Sequence, residues 1–143
     1  MLIVVTIIGI LAAAAVPKFV GSLTFHHVES AARRVKADLE HVRQTARLTS
    51  RAQALTFTGS VYAADVTSDL RDLDARTGPY SVDLSASPYE IDSVVADFNS
   101  STTISFDGYG MPSDTGHVLL QSGAYQCTVQ VEPSGEVWIH SNP

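Results

Sequence analysis

The sequence opens with MLIVVTIIGILAAAAVPKF, residues Met1–Phe19. The first sixteen of these residues are apolar apart from Thr6 and the neutral Gly9, and no charged side chain occurs before Lys18. Water solvates such a segment poorly, whereas lipid or another apolar helix accommodates it well. Sixteen helical residues rise about 24 Å, which is less than the roughly 30 Å of a bilayer's hydrocarbon core. As written, the segment is slightly too short to span a membrane.

Two other interpretations of this segment remain open. Ala12 to Ala15 supply the small residues at which a secretory signal peptide is cleaved, but the basic region that precedes such a segment is missing. An ordinary core helix can be equally apolar, although it seldom begins a chain with so many aliphatic residues. An anchor helix is therefore the favoured interpretation, with a signal peptide and a core helix as alternatives.

The pattern changes at Val28. From there apolar side chains recur at spacings of three and four, which places them on one face of a helix. That face comprises Val28, Ala32, Val35, Leu39, Val42, Ala46 and Thr49. Charged residues occupy the other faces, where Glu29 with Arg33, and Glu40 with Arg43, have the spacing of local ion pairs. We expect this part of the helix to lie on a globular domain with its apolar face inward.

Charge is unevenly distributed along the chain. Residues 1–53 hold seven basic and three acidic groups, a net charge of +4, whereas residues 54–143 hold two basic and twelve acidic groups, a net charge of −10. Such an acidic domain argues against general binding of nucleic acid by this part of the chain. The opposed charges are compatible with contacts between neighbouring subunits.

Residues 54–143 show the alternation and turn signals of an antiparallel sheet. Ala54–Thr58 and Val61–Ala64 should form a hairpin around Gly59-Ser60. Five further strands are predicted at Tyr80–Leu84, Thr102–Phe106, Val118–Gln121, Ala124–Val131 and Val137–His140. The last of these should pair with the strand before it. Residues 65–79 are polar and indicate a surface loop, whereas residues 85–99 fit either a helical turn or a strand.

Two local features refine this sheet. Glu132-Pro-Ser-Gly135 has Pro where φ is fixed and Gly where φ can be positive, which predicts a turn between the last two strands. Cys127, the only cysteine, lies on the apolar side of the alternating strand before that turn. It can form no intramolecular disulfide, and we expect it to be a core residue rather than a reactive thiol.

The sequence predicts no catalytic residue, no cofactor-binding residue and no metal site. It contains no G-x-S-x-G, phosphate loop, dinucleotide fingerprint or H-E-x-x-H. His26 and His27 are adjacent, so on a helix they point about 100° apart and do not readily share a metal. Asp69, Asp72 and Asp74 could supply calcium ligands, but they lack the Gly and Glu of a standard calcium loop, and a solvated acidic loop is favoured.

Two further motifs have a functional and an ordinary interpretation. Asn99-Ser-Ser101 is a formal N-glycosylation triplet, although such triplets also occur by chance. Arg43, Arg47 and Arg51 form a stripe at intervals of four that could meet phosphate groups. An exposed helix face near acidic subunits is the favoured interpretation of this stripe.

The opening run IVVTIIGILAAAAVPKF resembles the N-terminal helix of type IV pilins and type II secretion pseudopilins. In that family a short basic leader ending in Gly is removed, and the mature chain begins with an N-methylated residue and carries a Glu at its fifth position. Matching Gly9 and Pro17 to the family's helix Gly and Pro places Met1 just after that Glu. The resemblance therefore implies that Met1 is internal to a longer chain. Five more residues would extend the apolar helix to about 32 Å, which spans a bilayer.

Later motifs resemble the H-type minor pseudopilins and their relatives in pilus systems. These motifs are the helix end within Ala32–Ala52, the following strand at Leu55–Phe57, the turn Phe106-Asp107 with Gly110, and the hairpin Val129–Val137. The resemblance implies an α+β fold, in which a long N-terminal helix packs by its second half on an antiparallel head of about six strands. Residues 1–24 would be the transmembrane or filament-core segment, residues 25–53 the amphipathic helix, and residues 54–143 the head.

The function that this resemblance implies is structural, not enzymatic. The chain would be a minor pseudopilin or pilin that contributes to filament assembly and protein secretion. Alternatives are a major pilin of an adhesive or motility filament, and a minor pilin that takes up DNA or binds another ligand. The implied location is the bacterial inner membrane, crossed once, with the head in the periplasm or on an extracytoplasmic filament. Expected partners are other pilin-type subunits through the N-terminal helix, and secreted cargo or tip proteins.

Overall fold

A long helix followed by short strands makes up the molecule. The computed structural model describes the backbone of residues 2–65 and 80–142 and the side chains of residues 23–65 and 80–141. Within these residues the helix is α1 (Leu2–Thr49), and the strands are β1 (Gln53–Thr58), β2 (Val61–Ala64), β3 (Ser81–Asp83), β4 (Ser93–Asp97), β5 (Thr103–Phe106), β6 (Gly116–Ser122), β7 (Tyr125–Val131) and β8 (Val137–Asn142). The α+β class that the sequence indicated is confirmed.

The strands form two antiparallel sheets of four strands each. Sheet 1 has the order β3-β2-β1-β5, and sheet 2 has the order β4-β6-β7-β8. The expectation of one head sheet with about six strands is therefore wrong in number and arrangement. The reason lies in the pairing of distant strands, because β5 returns to pair with β1 while β4, which precedes it, pairs with β6. Alternation marks each strand but does not specify its neighbours.

Both turns predicted from sequence occur. β1 and β2 pair directly across Gly59-Ser60, with Thr58 opposite Val61, and Gly59 has a φ of 59°. In the later turn Gly135 donates its backbone N–H to the carbonyl of Glu132 over 2.8 Å, and its φ is 79°. Glycine adopts such positive φ values at no steric cost, which is why these turns are readable from the sequence.

The ambiguous stretch of residues 85–99 contains a strand. β4 (Ser93–Asp97) pairs along its whole length with β6, and Phe98 then forms a bridge with Ser101. Its sequence fitted a helical turn equally well, and the neighbouring strand decides the outcome because it offers ladder partners. Almost all of the predicted surface loop at residues 65–79 lies outside the described residues.

The apolar face of α1 is buried on the head, as its spacing predicted. Val28, Ala32, Val35, Leu39, Val42 and Ala46 are at most 2% exposed, whereas Thr49 at the helix end is partly exposed. This face contacts β1, β5, β6, β7 and β8, so both sheets share one core with the helix. Each large side chain buried in this way contributes about 1.5–3 kcal/mol of transfer free energy.

Candidate assembly surfaces

The first candidate surface is the part of α1 that precedes the head. The helix runs from Leu2 to Thr49 over 48 residues, and the first buried core residue among those described is Val28. Among the described residues, no helix combines the length and the apolar character that crossing a membrane requires. The predicted membrane segment in residues 1–24, and the division of the chain at residues 25–53 and 54–143, stay predictions.

A buried polar cluster fixes the second half of α1 to sheet 1. Asp38 is only 7% exposed and accepts hydrogen bonds from Arg34 Nε, at 3.1 Å, and from the Tyr62 hydroxyl. Arg34 also donates to the Tyr80 hydroxyl over 3.0 Å. We call Arg34, Asp38, Tyr62 and Tyr80 the polar cluster. Since charge-assisted hydrogen bonds are directional, the cluster sets how α1 is rotated against β2 and the residue before β3.

The electrostatics of the polar cluster keep its two phenols neutral. Burial, and then the negative charge of Asp38, raise the pKa of Tyr62 well above its ordinary value. Burial and a hydrogen bond with Asp38 likewise raise the pKa of Tyr80. A neutral phenol can donate to a carboxylate, whereas a phenolate would repel it. The cluster therefore holds one carboxylate and one guanidinium as an ion pair with two phenols around it.

The sequence analysis did not predict this cluster, although the sequence contains a signal for it. Arg34 and Asp38 have the spacing of a helical ion pair, and Asp38 directly precedes Leu39 on the predicted inward face. A carboxylate at the margin of an apolar face requires a partner from the opposite layer. Two tyrosines at strand positions were available for this role, but nothing local identified which strands face the helix.

Arg43 joins α1 to two turns at the end of the head where the helix stops. Its guanidinium donates to the carbonyl oxygen of Gly110 over 3.1 Å and to that of Ser134 over 2.8 Å. The fit is tight, because a Cβ added to Gly110 would lie 2.6 Å from Arg47 Cδ, and one added to Gly135 would lie 2.9 Å from Arg43 Nε. Gly110 and Gly135 both have positive φ as well. We call these contacts the Arg43 clamp.

The clamp corrects one expectation about charge pairing. Glu40 lies 3.7 Å from Lys36 Nζ, so it pairs with the residue four positions earlier instead of with Arg43. Arg43 turns away because the two carbonyl groups lie within reach of its planar donors. The other expected pair is confirmed, since Arg33 donates to Glu29 over 2.7 Å.

The three arginines of the predicted stripe differ in their contacts. Arg43 is committed to the turns, whereas Arg47 and Arg51 are exposed and have no ion pair among the described residues. Among the described residues, two guanidinium groups near the end of α1 are thus left without an ion pair, instead of the three-residue stripe that the spacing suggested. The proposed contact of this stripe with phosphate stays untested.

The turn of residues 107–112 presents large apolar side chains beside those arginines. Asp107 holds the turn, because one of its carboxylate oxygens accepts from the backbone N–H of Tyr109 and of Met111, each at 2.9 Å. Gly108 approaches Ser50 so closely that an added Cβ would lie 2.9 Å from its carbonyl carbon. Exposed apolar side chains at this end of the head are Leu48 at 86%, Tyr109 at 83% and Met111 at 47%.

The two adjacent histidines are placed apart, as the helical spacing implied. His27 Nδ1 lies 3.5 Å from Glu90 Oε2, while His26 is exposed and stacks edge-on against Phe25 at 5.8 Å between ring centres. Among the described residues, no group of three His, Cys, Asp or Glu side chains is arranged to hold a metal ion. Asp69, Asp72 and Asp74 fall outside the described residues.

The remaining sequence candidates are local features of the sheets. Asn99 and Ser100 have positive φ in an exposed turn, where Asn99 Nδ2 donates to Asp114 Oδ1 over 3.2 Å. This exposure is compatible with glycosylation, which nothing in the structure tests. Cys127 is 2% exposed, and burial, assisted by the charge of Glu29, raises the pKa of its thiol. The prediction that it is a core residue is confirmed.

Comparison with known proteins identifies a matching family and solved structures of similar fold. The family model for the type II transport protein GspH matches residues 31–135. A comparison with curated protein sequences gave no match. Crystal structures of the type IV minor pilin FimU of Pseudomonas aeruginosa, strain PAO1, have a similar fold. The form in space group P65 aligns at a TM-score of 0.58 and 13% identity over 78% of this chain and 91% of FimU. The form in space group P21 aligns at a TM-score of 0.58 and 14% identity over 82% of this chain and 90% of FimU.

The family match covers most of the chain, including the end of α1 from residue 31, all of sheet 1, sheet 2 except β8, and the turns that Arg43 joins. The FimU comparison supports the fold independently, since the two structures align at a TM-score above 0.5 over most of both chains. The resemblance to pilins and pseudopilins that the opening residues indicated is thus confirmed. The chain belongs to the GspH family of type II transport proteins, which are structural subunits of pilin type rather than enzymes.

Proposed function

We propose that the chain is a minor subunit of a type II secretion pseudopilus or of a related type IV pilus, and that it promotes filament assembly. One observation carries this proposal. The 48 residues of α1 extend about 72 Å, whereas the stretch Val28–Ala46 that the head buries accounts for only about 29 Å. The helix thus continues well beyond the head, as an assembly element must if it is to contact other subunits.

The apolar residues of the opening run suit two successive environments. Lipid would surround the segment before assembly, and the same segments of neighbouring subunits would surround it afterwards. In this proposal residues 1–24 cross the bacterial inner membrane once. The head lies on the extracytoplasmic side, and the mature N-terminus is methylated as in pilins.

Assembly of this kind moves a subunit by its helix, so the head must follow without rotating. The polar cluster and the Arg43 clamp suit this requirement because they lie at different heights along α1. Arg34 and Asp38 attach its middle to sheet 1, while Arg43 attaches its end to turns of both sheets. Two separated polar attachments resist twisting better than an apolar contact alone, since hydrogen bonds depend on direction.

The test is complementation of a chromosomal deletion in the native host, with filament number and secretion of exported protein as readouts. We expect the original chain to restore both. Leu11→Arg should fail, because a charge at the middle of an apolar helix costs about 2.5–3.5 kcal/mol in a membrane. Gln44→Arg, an exposed change elsewhere on α1, is the matched control and should restore both readouts.

Each outcome of this experiment has a defined meaning. Full activity of Leu11→Arg would contradict the proposal, because the opening segment would then not need an apolar environment. Loss of secretion with normal pili would assign the chain to type II secretion, and the reverse would assign it to a pilus. The number of copies per filament separates a minor subunit from a major one, since a major subunit must be present in great excess over all others.

A further inference from the structure

The strand β8 lies at an edge of sheet 2. Among the described residues it pairs with β7 on one side and with no strand on the other. Its six residues include no Lys, Arg, Asp, Glu or Pro. By contrast, the edge strands β3 and β4 contain Asp83 and Asp97. Charged residues and proline on an edge discourage the addition of further strands, so the edge of β8 is open to strand pairing.

The ladder between β7 and β8 shows which backbone groups of β8 point away from the sheet. Glu132 donates its backbone N–H to the carbonyl of Glu136 over 2.9 Å, and the same register continues through β8. In an antiparallel pair, residues that bond to the neighbouring strand alternate with residues whose backbone groups point away from it. The N–H and C=O groups of every second residue therefore point to the free edge, at Val137, Ile139 and Ser141.

These outward groups have no hydrogen-bond partner within the described part of the chain. Val137 is only 4% exposed and Ile139 is partly buried against the core, so water has limited access to both. A backbone N–H or C=O that water hardly reaches costs free energy until it finds a partner. Another extended backbone alongside β8 would satisfy all three residues at once, because its own groups have the same spacing.

A groove of about 300 Å³ lies between α1 and β8. Its described lining consists of Lys36, Glu40 and Arg43 from the helix, and Glu136, Val137 and Trp138 from the β8 side. Arg43 is fixed there by the clamp. Lys36 Nζ lies 3.7 Å from Glu40 and 6.0 Å from the centre of the Trp138 ring. Because a lysine side chain is flexible, an entering peptide can displace it from the groove.

We propose that β8 binds an extended segment of another protein, which adds to sheet 2 as a fifth strand. Main-chain hydrogen bonds to Val137, Ile139 and Ser141 hold the segment, and the groove beside α1 receives its side chains. In strand addition of this kind the backbone supplies the affinity, and pockets for alternate side chains supply the selectivity.

The groove selects the composition of the segment. Its described walls carry two positive side chains, Lys36 and Arg43, and two negative ones, Glu40 and Glu136, so neither sign of net charge is favoured. Trp138 is 52% exposed and offers a flat apolar surface beside the edge. β-branched side chains pack well on such a surface and stiffen an extended chain. The segment is therefore uncharged and rich in β-branched residues.

A second copy of this chain does not fit as the partner. Antiparallel pairing of two β8 strands would relate the copies by a twofold axis and reverse the direction of α1. Subunits inserted in one membrane through the same end of α1 cannot adopt this arrangement. The choice of a different protein thus rests on the proposed function, whereas the site on β8 does not.

Peptide binding to the full chain in detergent micelles tests the site. The probe is an acetylated and amidated peptide of alternating threonine and valine, N-methylated at alternate residues so that only one of its edges can pair. Trp138 is the only tryptophan of the chain, so its fluorescence reports binding in the groove. We expect a saturable change. The same peptide N-methylated at every residue has no backbone donor and should bind about tenfold more weakly or worse.

A matched pair of variants separates strand addition from side-chain contact. Ile139→Pro removes the central outward N–H and should weaken binding about tenfold or more, since the proline ring also blocks the edge. Ile139→Ala loses the same side chain but keeps the N–H, and should bind nearly as well as the original chain. Proline is tolerated on an edge strand where the N–H faces away from the sheet. If Ile139→Pro does not fold, Ser141→Pro removes another outward N–H at an exposed position.

Saturable binding that the proline variant and full methylation both weaken would support the inference. Absence of saturable binding, or binding that neither change weakens, would overturn it. Association of the chains without peptide, if the proline variant abolishes it, would show a second copy at the edge and overturn the choice of partner. These results are separate from the function test. Peptide binding together with full complementation by Leu11→Arg would contradict the filament function alone, and normal assembly without peptide binding would contradict the strand site alone.

Discussion

The helix α1 is attached to the two sheets by different kinds of contact. On sheet 2 the buried side chains are apolar except for Ser122. The apolar set comprises Val118, Leu120, Cys127, Val129, Val131 and Val137. Sheet 1 also contributes apolar residues, but it adds Tyr62, which bonds Asp38, and it adjoins Tyr80, which bonds Arg34. Within the buried layer, the helix therefore meets sheet 2 through apolar area, whereas it meets sheet 1 through both apolar area and directional hydrogen bonds.

The two kinds of contact have different effects. Apolar burial contributes mainly to the stability of the fold, and the polar cluster sets the orientation of α1. Apolar burial is roughly proportional to area and is indifferent to small rotations, so it holds the layers together without fixing their angle. The polar cluster is satisfied in only one rotation of α1, because Arg34 and Asp38 must both face their tyrosines. Removing apolar area should lower stability most, while removing a polar partner should also loosen the orientation of the helix.

The largest effect is expected from a charge placed in the shared apolar layer. Leu39 is 0% exposed, and Leu39→Asp should lower the free energy of unfolding by about 4 kcal/mol, as an unpaired buried carboxylate does. Urea denaturation of the full chain in micelles measures this change. Leu48→Asp, at a position that is 86% exposed, is the matched control and should change stability by less than about 0.5 kcal/mol. Equal stability of the two variants would show that the helix face is not buried.

The next effect concerns the polar attachment to sheet 1. Asp38→Ala leaves Arg34 and Tyr62 without their acceptor and should cost about 3 kcal/mol. Glu40→Ala, which breaks an exposed pair with Lys36, should cost no more than about 0.5 kcal/mol. A double-mutant cycle of Asp38→Ala with Tyr62→Phe should show coupling of at least about 0.5 kcal/mol. Additive effects would contradict a shared cluster.

A smaller effect is expected at the Arg43 clamp. Arg43→Met keeps most of the side chain's length but loses its bonds to Gly110 and Ser134, which should cost about 1–2 kcal/mol. Amide exchange in the turn of residues 107–112 should rise in parallel. Arg51→Met, an exposed arginine without an ion pair among the described residues, should leave both stability and exchange unchanged. Unchanged exchange in Arg43→Met would mean that the clamp does not hold the turn.

The smallest effect follows from the raised pKa values of Tyr62 and Tyr80. Both phenols are neutral in the folded head, and in the unfolded chain they ionise near the ordinary tyrosine pKa of about 10. The stabilisation that depends on their neutral form is therefore complete below about pH 10 and is lost as the pH rises above it. Thermal unfolding from pH 8 to 11 should show this decline, and Tyr62→Phe should flatten it. A pH-independent melting temperature in the original chain would contradict the buried cluster.

The elements that could be predicted from the sequence are those with local signals. The spacing of the apolar residues between Val28 and Ala46 predicted the buried helix face, and the glycines of two turns predicted the hairpins at residues 59–60 and 132–135. The alternation around Cys127 predicted its burial. In each case the controlling physics acts within a few residues, through helical periodicity, strand alternation or a positive φ.

What sequence reasoning missed depends on contacts between distant residues. The split into two sheets follows from β5 pairing with β1 across more than forty residues of chain. The partners of Asp38 come from β2 and from the residue before β3, and the acceptors of Arg43 come from two separate turns. Backbone carbonyls can accept from any arginine within reach, so no side-chain pattern indicates which ones will do so.

The central claim is that this chain is built into a filament through its N-terminal helix. The most direct measurement is quantitative mass spectrometry of sheared, detergent-washed filaments from the native host, carried out for the original chain and for Leu11→Arg. We expect the original chain to be present in the filaments in far fewer copies than the main subunit, and Leu11→Arg to be missing from them. Filaments of normal composition that lack the original chain, while the membrane fraction retains it, would contradict the account.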